Sequence, residues 1–487
     1  MSAARPHINV CLLQPAGYIH AFALLEAAEF VVAKAQAAGY PAALCKNRLR
    51  PDGLNIVFGA HINPKGWNTF PPNTVLFNTE QLPATSHWTS PEYRALLHRH
   101  IVWDYSPTNL ANLGHDRAHL VSFYHAPVLD RIRRAPAPEY DLVFYGWVNE
   151  RRKAQLDRLQ AAGLKLLPVF NLYGAERDAA LANARAVLNL HFYDAQIFQQ
   201  IRAFYPLANG IPVISENFPP GTAPALYDEV VFASGNEALE TYAARLLHDR
   251  DAFAREAARR TTLFRATVDN PEFAQVLQHT LAALAATPAA PASPTRINLG
   301  SGKDYRPGEL NIDIDPALNP DLLLDLSATL DLPLTLDSPV YGRVVLAADS
   351  IEEISAIDVL EHVPNLTRLM TNCLTLLREG GRFVIVVPYE LGLGAWQDPT
   401  HVRAFNENSW LYYTEWFWYL GWFEHRFNCD LIDIIPSELG RKMIDARVAQ
   451  EELLRTPRAI DSMKVVLSKR RTTPEEKTSA RAFRNTL

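Results

Sequence analysis

The sequence predicts an α/β protein made of three successive units, each built on a mainly parallel β-sheet. Between residues 8 and 215, short apolar runs alternate with stretches whose apolar residues recur at helical spacing, the pattern of strand–helix–strand units. An Ala/Pro/Ser-rich stretch at residues 285–295 cannot form a packed element and marks a domain junction. An apolar strand ending in glycines follows at Arg296. These observations predict two units before the junction and one after it.

The composition is that of an ordinary folded protein without a nucleic-acid footprint. Of 487 residues, 48% are apolar and 21% are charged. The net charge of −6 offers no basic surface for nucleic acid, and no stretch is apolar enough for a membrane span or a secretory signal. The four cysteines fit neither a zinc motif nor a disulfide framework, which suits a reducing compartment. We therefore expect a cytoplasmic protein, and the sequence does not specify an oligomeric state.

Two sets of alternating elements precede the junction. The predicted strands are Ile8–Leu13, Asn55–Phe58, Thr74–Asn78, His100–Tyr105, Asp141–Tyr145, Lys165–Val169, Ala186–Leu190 and Pro212–Ser215. The predicted helices are His20–Ala38, Arg151–Ala162, Arg177–Asn183 and a segment around Ile197–Leu207. We predict lobes at residues 1–135 and 136–285, a linker at 286–295, a third domain at 296–470 and a flexible tail at 471–487.

A glycine turn follows the first strand after the junction, where the chain reads Gly300-Ser301-Gly302. Glycine lets a strand end turn sharply and lets a ligand approach the backbone closely. The phosphate-loop and dinucleotide patterns do not fit, because Ile297 and Tyr305 stand where those motifs need glycine. A turn without a ligand is the alternative interpretation.

Carboxylates end the next apolar run, Asn311–Asp315. A carboxylate at a strand end can accept hydrogen bonds from both ribose hydroxyls of a nucleoside, and Asp313 is the candidate. Only about ten residues separate this run from the preceding strand, whereas a parallel crossover usually needs a dozen or more. The first helix of this unit is therefore predicted to be short or missing.

Three further segments resemble the type 11-like, class I methyltransferases that depend on S-adenosylmethionine (SAM). The segment Ile354–Pro364 contains a Leu-Glu-His signature, Arg378–Gly381 ends in a glycine pair, and Arg382–Pro388 is an apolar strand that ends in proline. The resemblance covers about Arg296–Leu467, including a late strand at Met463–Leu467. It implies a Rossmann-like domain that binds SAM.

The resemblance also implies roles for individual residues. The glycines would lie near the methionine part of SAM, Asp313 would hold the ribose, and Asp325 would meet the adenine amine, with Asp349 as a weaker candidate. The implied cofactor-binding residues are Gly300, Ser301, Gly302, Asp313, Asp325, Asp349 and Asp358.

The acceptor side is expected in the segment Ala395–Arg403, which follows the fifth strand. Methyl transfer to a hydroxyl needs a base for its proton, and histidine suits that role. We predict His401 as the base and Asp398 as its orienting carboxylate, with His362 as the second candidate. Two alternatives remain open: Asp398 caps a turn while His401 packs on aromatics, or both ligate a divalent ion such as Mg²⁺. No dedicated metal site is predicted.

Aromatic residues are dense between Phe405 and Phe427. They form a stacking wall for a sugar or another flat acceptor, or they belong to ordinary core or to an oligomer contact. The candidate acceptor contacts in and near this region are Trp396, Arg403 and Trp410.

The region before the junction resembles GT-B glycosyltransferases of the group 1 type. The resemblance rests on Tyr140–Tyr145 followed by Gly146 and by Arg151-Arg152-Lys153, and on Ala208–Glu216, which matches an A-x-G-x-P-V-I segment. It implies that Gly146, Arg152, Lys153, Asn209 and Gly210 contact a nucleotide-sugar. The alternative interpretation is that Arg152 and Lys153 are solvated charges of a helix.

The same region departs from this family at one place and offers one possible base. The family's usual glutamate-rich donor motif is replaced by Phe198–Arg202. Glu80 is a candidate acceptor base, or an exposed loop acid.

The predicted fold is therefore two Rossmann-like GT-B lobes followed by a Rossmann-like SAM methyltransferase domain. The predicted function is sugar modification by a bifunctional enzyme, with glycosyl transfer from a nucleotide-sugar and O-methylation of a glycan or polysaccharide hydroxyl. The alternative is a small-molecule O-methyltransferase whose first region only binds glycans or acts as a scaffold. The expected partner is a glycan or sugar-containing acceptor.

Overall fold

In the part of the chain that the structure describes, three large β-sheets and one short hairpin contain the strands. The computed structural model describes residues 5–62, 70–82, 89–194, 196–286 and 292–484. They divide into two compact units: the first contains residues 5–62, 72–82, 89–194 and 196–286, and the second contains residues 70–71 and 292–484. Part of the predicted linker, residues 287–291, lies outside the described residues.

The first sheet has six parallel strands in the order β2-β1-β3-β4-β5-β6. Its elements are β1 (Ile8–Leu12), α1 (Leu25–Ala37), β2 (Ala42–Lys46), β3 (Leu54–Phe58), β4 (Thr74–Asn78), α2 (Pro91–Arg99), β5 (Ile101–Asp104), α3 (Pro107–Leu113) and β6 (Ala118–Leu120). Helices α2 and α3 each begin with a capping serine followed by proline, Ser90 and Ser106 being the caps. The strands β1, β3, β4 and β5 are buried along their whole length, as expected for a sheet covered on both faces.

The second sheet has five parallel strands in the order β11-β10-β9-β7-β8. Its elements are β7 (Tyr140–Tyr145), α4 (Glu150–Ala161), β8 (Leu166–Val169), α5 (Gly174–Ala182), β9 (Ala184–Asn189), α6 (Gln200–Ala208), β10 (Val213–Ser215), α7 (Ala225–Val230), β11 (Phe232–Ala233), α8 (Leu239–His248), α9 (Arg250–Arg265) and α10 (Glu272–Ala286).

The last helix of the second lobe, α10, packs against the first sheet. The indole Nε1 of Trp103, in β5, donates to Thr280 Oγ1 of α10 at 3.0 Å. Glu272, also in α10, accepts a hydrogen bond from the Tyr124 hydroxyl. The predicted second lobe, residues 136–285, therefore includes a helix that packs on the first lobe, because its apolar face fits there.

The second unit contains a seven-stranded sheet in the order β14-β13-β12-β17-β18-β20-β19. Its elements are β12 (Arg296–Leu299), β13 (Leu310–Asp313), β14 (Leu322–Leu323), β15 (Leu334–Ser338), β16 (Gly342–Leu346), β17 (Ile351–Ile357), α11 (Leu366–Leu376), β18 (Leu377–Pro388), α12 (Gly394–Gln397), α13 (Leu411–Thr414), β19 (His425–Pro436), α14 (Glu438–Asp445), α15 (Gln450–Arg455), β20 (Ile460–Arg471) and α16 (Pro474–Arg484). Five strands run parallel, and β20 is antiparallel to both of its neighbours. The strands β15 and β16 form a separate hairpin.

The strand order creates a topological switch point at β12, because β13 lies on one side of it and β17 on the other. In open parallel sheets, ligands bind in the crevice at the carboxyl ends of strands at such a point. The prediction of an α/β fold with Rossmann-like sheets is confirmed.

No helix lies in the connection between β12 and β13, residues 300–309, all of which the structure describes. Buried amides hold this segment instead. Asn298 Nδ2 donates to the Asp304 carbonyl at 2.7 Å and to Asn311 Oδ1 at 3.0 Å. The Arg306 backbone N–H also donates to Asn311 Oδ1, at 2.8 Å. Side-chain hydrogen bonds therefore position the segment that contains the glycine turn.

The predicted flexible tail is wrong over its described part. Helix α16 occupies residues 474–484, and Ala480 is 2% exposed in the core of the second unit. Glu476 of this helix pairs with Arg426 of β19 at 2.6 Å. The charged sequence suggested mobility, but one apolar face and this ion pair attach the helix to the unit.

A membrane crossing requires a helix that is both long and apolar, and none of the described helices combines these two properties.

Candidate functional sites

The glycine turn lies at the carboxyl end of β12, at the switch point. Gly300 has a φ of +61° and Gly302 a φ of +50°. A Cβ added at Gly300 would collide with the side chain of Val359, which follows β17. Glycine at position 300 therefore allows both the left-handed turn and the close approach of the segment after β17.

Asp313 is the carboxylate at the end of β13, and it is bonded to the glycine turn. The Gly302 backbone N–H donates to Asp313 Oδ2 at 2.8 Å, and the Asp315 N–H donates to Oδ1 at 3.0 Å. Asp313 is 8% exposed. Each carboxylate oxygen keeps a free lone pair beyond its one hydrogen bond, so the group can still accept from the two hydroxyls of a ribose. Ser301 is buried, and its N–H donates to the Ile312 carbonyl, so its backbone serves the turn.

We predict that Gly300→Ala weakens SAM binding, because the new Cβ would strain the turn and displace Val359. Gly380→Ala is the matched control, since Gly380 also has positive φ, +74°, but nothing lies within 4 Å of its Cβ position. Both changes should cost about 1–2 kcal/mol of stability for the left-handed backbone. Calorimetric titration with SAM should show a loss of affinity only for Gly300→Ala. Equal affinities of the two variants would contradict a ligand role of this turn.

The three other predicted cofactor carboxylates lie in different surroundings. Asp325 is exposed just after β14, and its Oδ1 accepts from the Ser327 N–H at 2.7 Å. Asp358 is exposed directly after β17, at the edge of the sheet that carries the glycine turn. Asp349 precedes β17, at the opposite edge, and its Oδ1 lies 2.6 Å from Lys469 Nζ. Asp349 is therefore wrong as a cofactor residue, because the sheet separates it from the turn.

A cluster of two histidines and a glutamate follows β17 at the switch-point edge. Glu361 lies in a short 3-10 turn, Leu360–His362, and is 1% exposed. Neither oxygen of its carboxylate has a hydrogen-bond partner. Burial raises the pKa of Glu361 to about 7. The rings of His362 and His401 are in edge contact, with centroids 4.6 Å apart.

The hydrogen bonds of the histidines fix their tautomers. His401 Nδ1 lies 2.8 Å from the Ala395 carbonyl, which can only accept, so Nδ1 carries the hydrogen. His362 Nδ1 lies 2.8 Å from Thr400 Oγ1, and that hydroxyl donates to Asp398 Oδ1 at 2.7 Å. The Thr400 oxygen therefore accepts from His362 Nδ1. Both rings keep a lone pair on Nε2.

The predicted pairing of Asp398 with His401 is wrong. The Asp398 carboxylate accepts from the backbone N–H and the hydroxyl of Thr400, and through that hydroxyl it positions His362. His401 is oriented by a backbone carbonyl instead. The Asp398 carboxylate is bonded to the backbone N–H and hydroxyl of Thr400 inside the turn, so it does not reach His401.

Two of the predicted acceptor residues are structural. Trp410 is 1% exposed and stacks on Phe405 with ring centroids 5.5 Å apart, so it belongs to the core. Arg403 Nη2 donates to the carbonyls of Val363 and Pro364 at 2.7 and 2.8 Å, which ties its segment to the end of the 3-10 turn. Trp396, by contrast, is 64% exposed and remains available to an acceptor.

The first unit contains a cleft of about 510 Å³ between its two lobes. Gly146, Glu80 and Arg202 are among the residues that line it. Glu80 Oε1 lies 3.3 Å from His61 Nε2, so this acid has a histidine partner. Gly146 has a φ of +123° and approaches the guanidinium of Arg202, which explains the need for glycine.

The two predicted basic contacts with a nucleotide-sugar, Arg152 and Lys153, are not among the residues that line the cleft. Arg152 is 2% exposed and donates to the carbonyls of Leu190 and Trp147 at 2.8 and 2.7 Å, and its burial lowers its pKa to about 8. Lys153 is exposed and pairs with Asp157 one helical turn away. Both residues follow a glycine turn in the sequence. Because they are consecutive in α4, they lie on different faces of the helix, with Arg152 in the interior and Lys153 in solvent.

Asn209 and Gly210, the other predicted nucleotide-sugar contacts, also lie outside the lining of this cleft. Asn209 Oδ1 accepts the backbone N–H groups of Arg131 and Ile132, both at 2.7 Å. Gly210 ends the turn after α6, at the amino end of β10, whereas the cleft-lining Gly146 follows the carboxyl end of β7. Both residues therefore serve the turn between α6 and β10.

Arg202 is a basic residue of the cleft lining that the sequence did not indicate as a contact, and unlike Arg177 it pairs with no described carboxylate. Its guanidinium donates to the Tyr145 carbonyl, and its Nε is buried without a hydrogen-bond partner. No carboxylate pairs with it among the described residues, and burial lowers its pKa. The substitution of the family's glutamate-rich segment by Phe198–Arg202 was the signal for it.

The chain is an α/β protein with two units. The first unit has two lobes with a cleft between them, and the second has a candidate site at the topological switch point of its sheet. No family profile matches the chain. Two uncharacterised proteins of Acanthamoeba polyphaga mimivirus are 26% and 24% identical to it over 155 residues, which is 31% and 30% of this chain. The matched part covers 21% and 49% of those proteins, so the chain spans at most about half the length of these curated relatives.

Solved structures similar to the chain include glycosyltransferases and SAM-dependent methyltransferases. WaaG, a glycosyltransferase involved in lipopolysaccharide biosynthesis, is 12% identical and matches 57% of this chain and 100% of its own, with a TM-score of 0.36. A SAM-dependent methyltransferase from Archaeoglobus fulgidus is 14% identical and matches 40% of this chain and 93% of its own, with a TM-score of 0.24.

Proposed function

We propose that the second unit binds SAM at the glycine turn and transfers its methyl group to a hydroxyl of a sugar-containing acceptor. One observation carries this proposal. Val359 packs against Gly300, so the turn with its Asp313 carboxylate directly adjoins the segment that bears Glu361 and His362. A nucleoside-binding carboxylate and a cluster of proton-accepting groups therefore share one edge of the sheet.

Methyl transfer needs both a site that holds SAM and a group that accepts the proton of the hydroxyl. The hydroxyl oxygen attacks the methyl carbon of SAM as the bond from that carbon to sulfur breaks, leaving neutral S-adenosylhomocysteine. The hydroxyl proton must leave as the new bond forms, and a free Nε2 lone pair on His401 or His362 can take it. Ala395 and Thr400 hold the two rings in the required tautomer.

Exposed aromatic side chains support a sugar-containing acceptor. Trp396 is 64% exposed, and Tyr412, Trp416 and Tyr419 are 44%, 44% and 61% exposed. Tyr412 lies in edge contact with Trp416 and Tyr419, with centroids 5.0 and 5.7 Å apart. Exposed rings of this kind offer apolar faces on which sugars stack.

The test uses the full chain and SAM. Calorimetry should show micromolar binding of SAM or S-adenosylhomocysteine, and incubation with glycan acceptors should release S-adenosylhomocysteine. Failure of both ligands to bind would end the proposal.

A second candidate function, glycosyl transfer by the first unit, is favoured by Arg202. A guanidinium that is withdrawn from water without a carboxylate partner is costly, and an anionic ligand in the cleft would offset that cost. The diphosphate of a nucleotide-sugar is such an anion, and Glu80 with His61 would supply a base on the same cleft. The chain would then be bifunctional.

We predict that Arg202→Ala weakens binding of UDP or GDP by roughly 10–100-fold, the loss expected for hydrogen bonds to a charged group. Arg202→Lys, which keeps the charge near the Tyr145 carbonyl, should retain part of the affinity. Lys153→Ala is the control, because Lys153 is exposed and pairs with Asp157. Calorimetry with each nucleotide gives the comparison. Nucleotide affinity that is unchanged in Arg202→Ala would leave a glycan-binding or scaffolding role for this unit.

A further inference from the structure

We propose that Glu361, His362 and His401 bind a divalent transition-metal cation. One ligand atom from each residue lies within 4.8 Å of the other two. Metal–nitrogen and metal–oxygen bonds of about 2.0–2.2 Å place neighbouring ligand atoms roughly 3–4 Å apart. Side-chain adjustments of about an ångström would therefore close the three residues around an ion.

The buried carboxylate is the strongest sign of a missing cation. Glu361 is 1% exposed, and both of its oxygens are buried without a hydrogen-bond partner. Burial of an acid without a partner is costly, and proteins normally compensate for it with a hydrogen-bond donor, an opposite charge or a metal. Apart from an interaction with the backbone of Glu361 itself, the described residues supply no donor to this carboxylate, whereas two imidazole rings lie next to it.

The histidines already have the outer contacts that metal ligands need. A ligating histidine typically donates its other ring N–H to a carbonyl or a carboxylate, which orients the ring and fixes its tautomer. His401 donates from Nδ1 to the Ala395 carbonyl. His362 donates from Nδ1 to Thr400, whose hydroxyl is held by Asp398. Nε2 of both rings is thereby left as the ligand atom.

The donor set indicates which ions fit. Two imidazoles and one carboxylate suit Mn²⁺, Fe²⁺, Co²⁺, Ni²⁺ or Zn²⁺, whereas Mg²⁺ and Ca²⁺ prefer oxygen ligands alone. Three protein ligands leave at least one coordination position open. If the proposed methyl transfer holds, an acceptor hydroxyl at that position would lose its proton more readily. Because both Nε2 atoms would then be bound to the ion, the proton would pass to solvent instead of to a histidine, and this catalytic role rests on the proposed function. The ion site itself does not rest on it.

The test titrates the chelator-treated full chain with Co²⁺ and follows its visible absorption, with Zn²⁺ calorimetry in parallel. One ion per chain should bind. Glu361→Gln and His401→Asn should each weaken binding by at least about tenfold, as expected for the loss of one ligand. The asparagine amide can still donate to the Ala395 carbonyl, so His401→Asn keeps the outer contact and removes only Nε2.

His425→Ala is the matched control, because His425 lies in β19 of the same unit, outside the cluster, and its variant should bind Co²⁺ like the wild type. Thermal unfolding of each variant monitors folding. Wild-type chain that binds no Co²⁺ or Zn²⁺, or Glu361→Gln and His401→Asn that bind as tightly as His425→Ala, would overturn the metal site. SAM titration of the same samples is separate: a chain that binds metal but no SAM refutes the methyltransferase proposal alone.

Discussion

Replacing Asp313 with alanine is expected to weaken SAM binding by about 10²-fold or more. The carboxylate would accept from two ribose hydroxyls, and hydrogen bonds to a charged group contribute roughly 1.5–3 kcal/mol each. The change also removes the acceptor of the Gly302 N–H, so the turn loses its anchor to β13. Calorimetry on the full chain measures the effect with both SAM and S-adenosylhomocysteine, which share the ribose.

Asp315→Ala is the control for this change. Asp315 lies two residues away and is exposed, and its side chain caps a short 3-10 helix by accepting from the Ala317 N–H at 2.9 Å. Its loss should leave the affinity for SAM nearly unchanged. If Asp313→Ala and Asp315→Ala bind SAM equally well, Asp313 has no role in the cofactor site.

Replacing His401 with alanine should lower the turnover of methyl transfer by about 10²–10⁴-fold, the usual contribution of a general base. The affinity for SAM should stay nearly the same, because the cofactor would be held at the glycine turn and Asp313. His401→Gln should not restore the rate, because an amide cannot take up the proton. Release of S-adenosylhomocysteine under saturating SAM measures the turnover.

The control for His401 is His425→Ala, which should retain wild-type turnover. Near-normal turnover of His401→Ala would remove this residue from the mechanism and would assign the proton to His362. Loss of activity on chelation, with recovery on addition of Mn²⁺ or Zn²⁺, would indicate that His401 acts as a ligand of the ion.

Hydrophobic patterns in the sequence predicted the strands that are buried on both faces. The strands β1, β3, β4 and β5 are buried throughout, so their apolar runs stand out in the sequence. The edge strand β2 and the hairpin β15–β16 were missed. Their residues are partly exposed, so they do not form long buried apolar runs, and their pairing partners are set by tertiary contacts.

The same distinction applies to the sites. Gly300 and Asp313 belong to strand ends that the sequence marks directly, and the structure brings them together through the Gly302 N–H. Arg152 was misassigned because its burial depends on which face of α4 meets the sheet. Asp349 was misassigned because only the sheet shows to which edge a residue belongs.

Glu361 was missed as a site residue, although it stands inside the Leu-Glu-His signature. Its significance comes from being buried beside two imidazoles, one of which is contributed by a segment about 40 residues further along the chain. The spacing of residues within the signature cannot show that His401 lies next to Glu361 and His362.

The return of α10 to the first lobe has a mechanical consequence for the cleft. Two chain segments, residues 126–139 and 266–271, join the lobes instead of one. A single connecting segment would allow the lobes to rotate about several axes, whereas two adjacent segments permit rotation mainly about the axis that passes through both. We therefore expect the two connections to restrict any relative movement of the lobes to one preferred axis, which would keep the cleft walls in register.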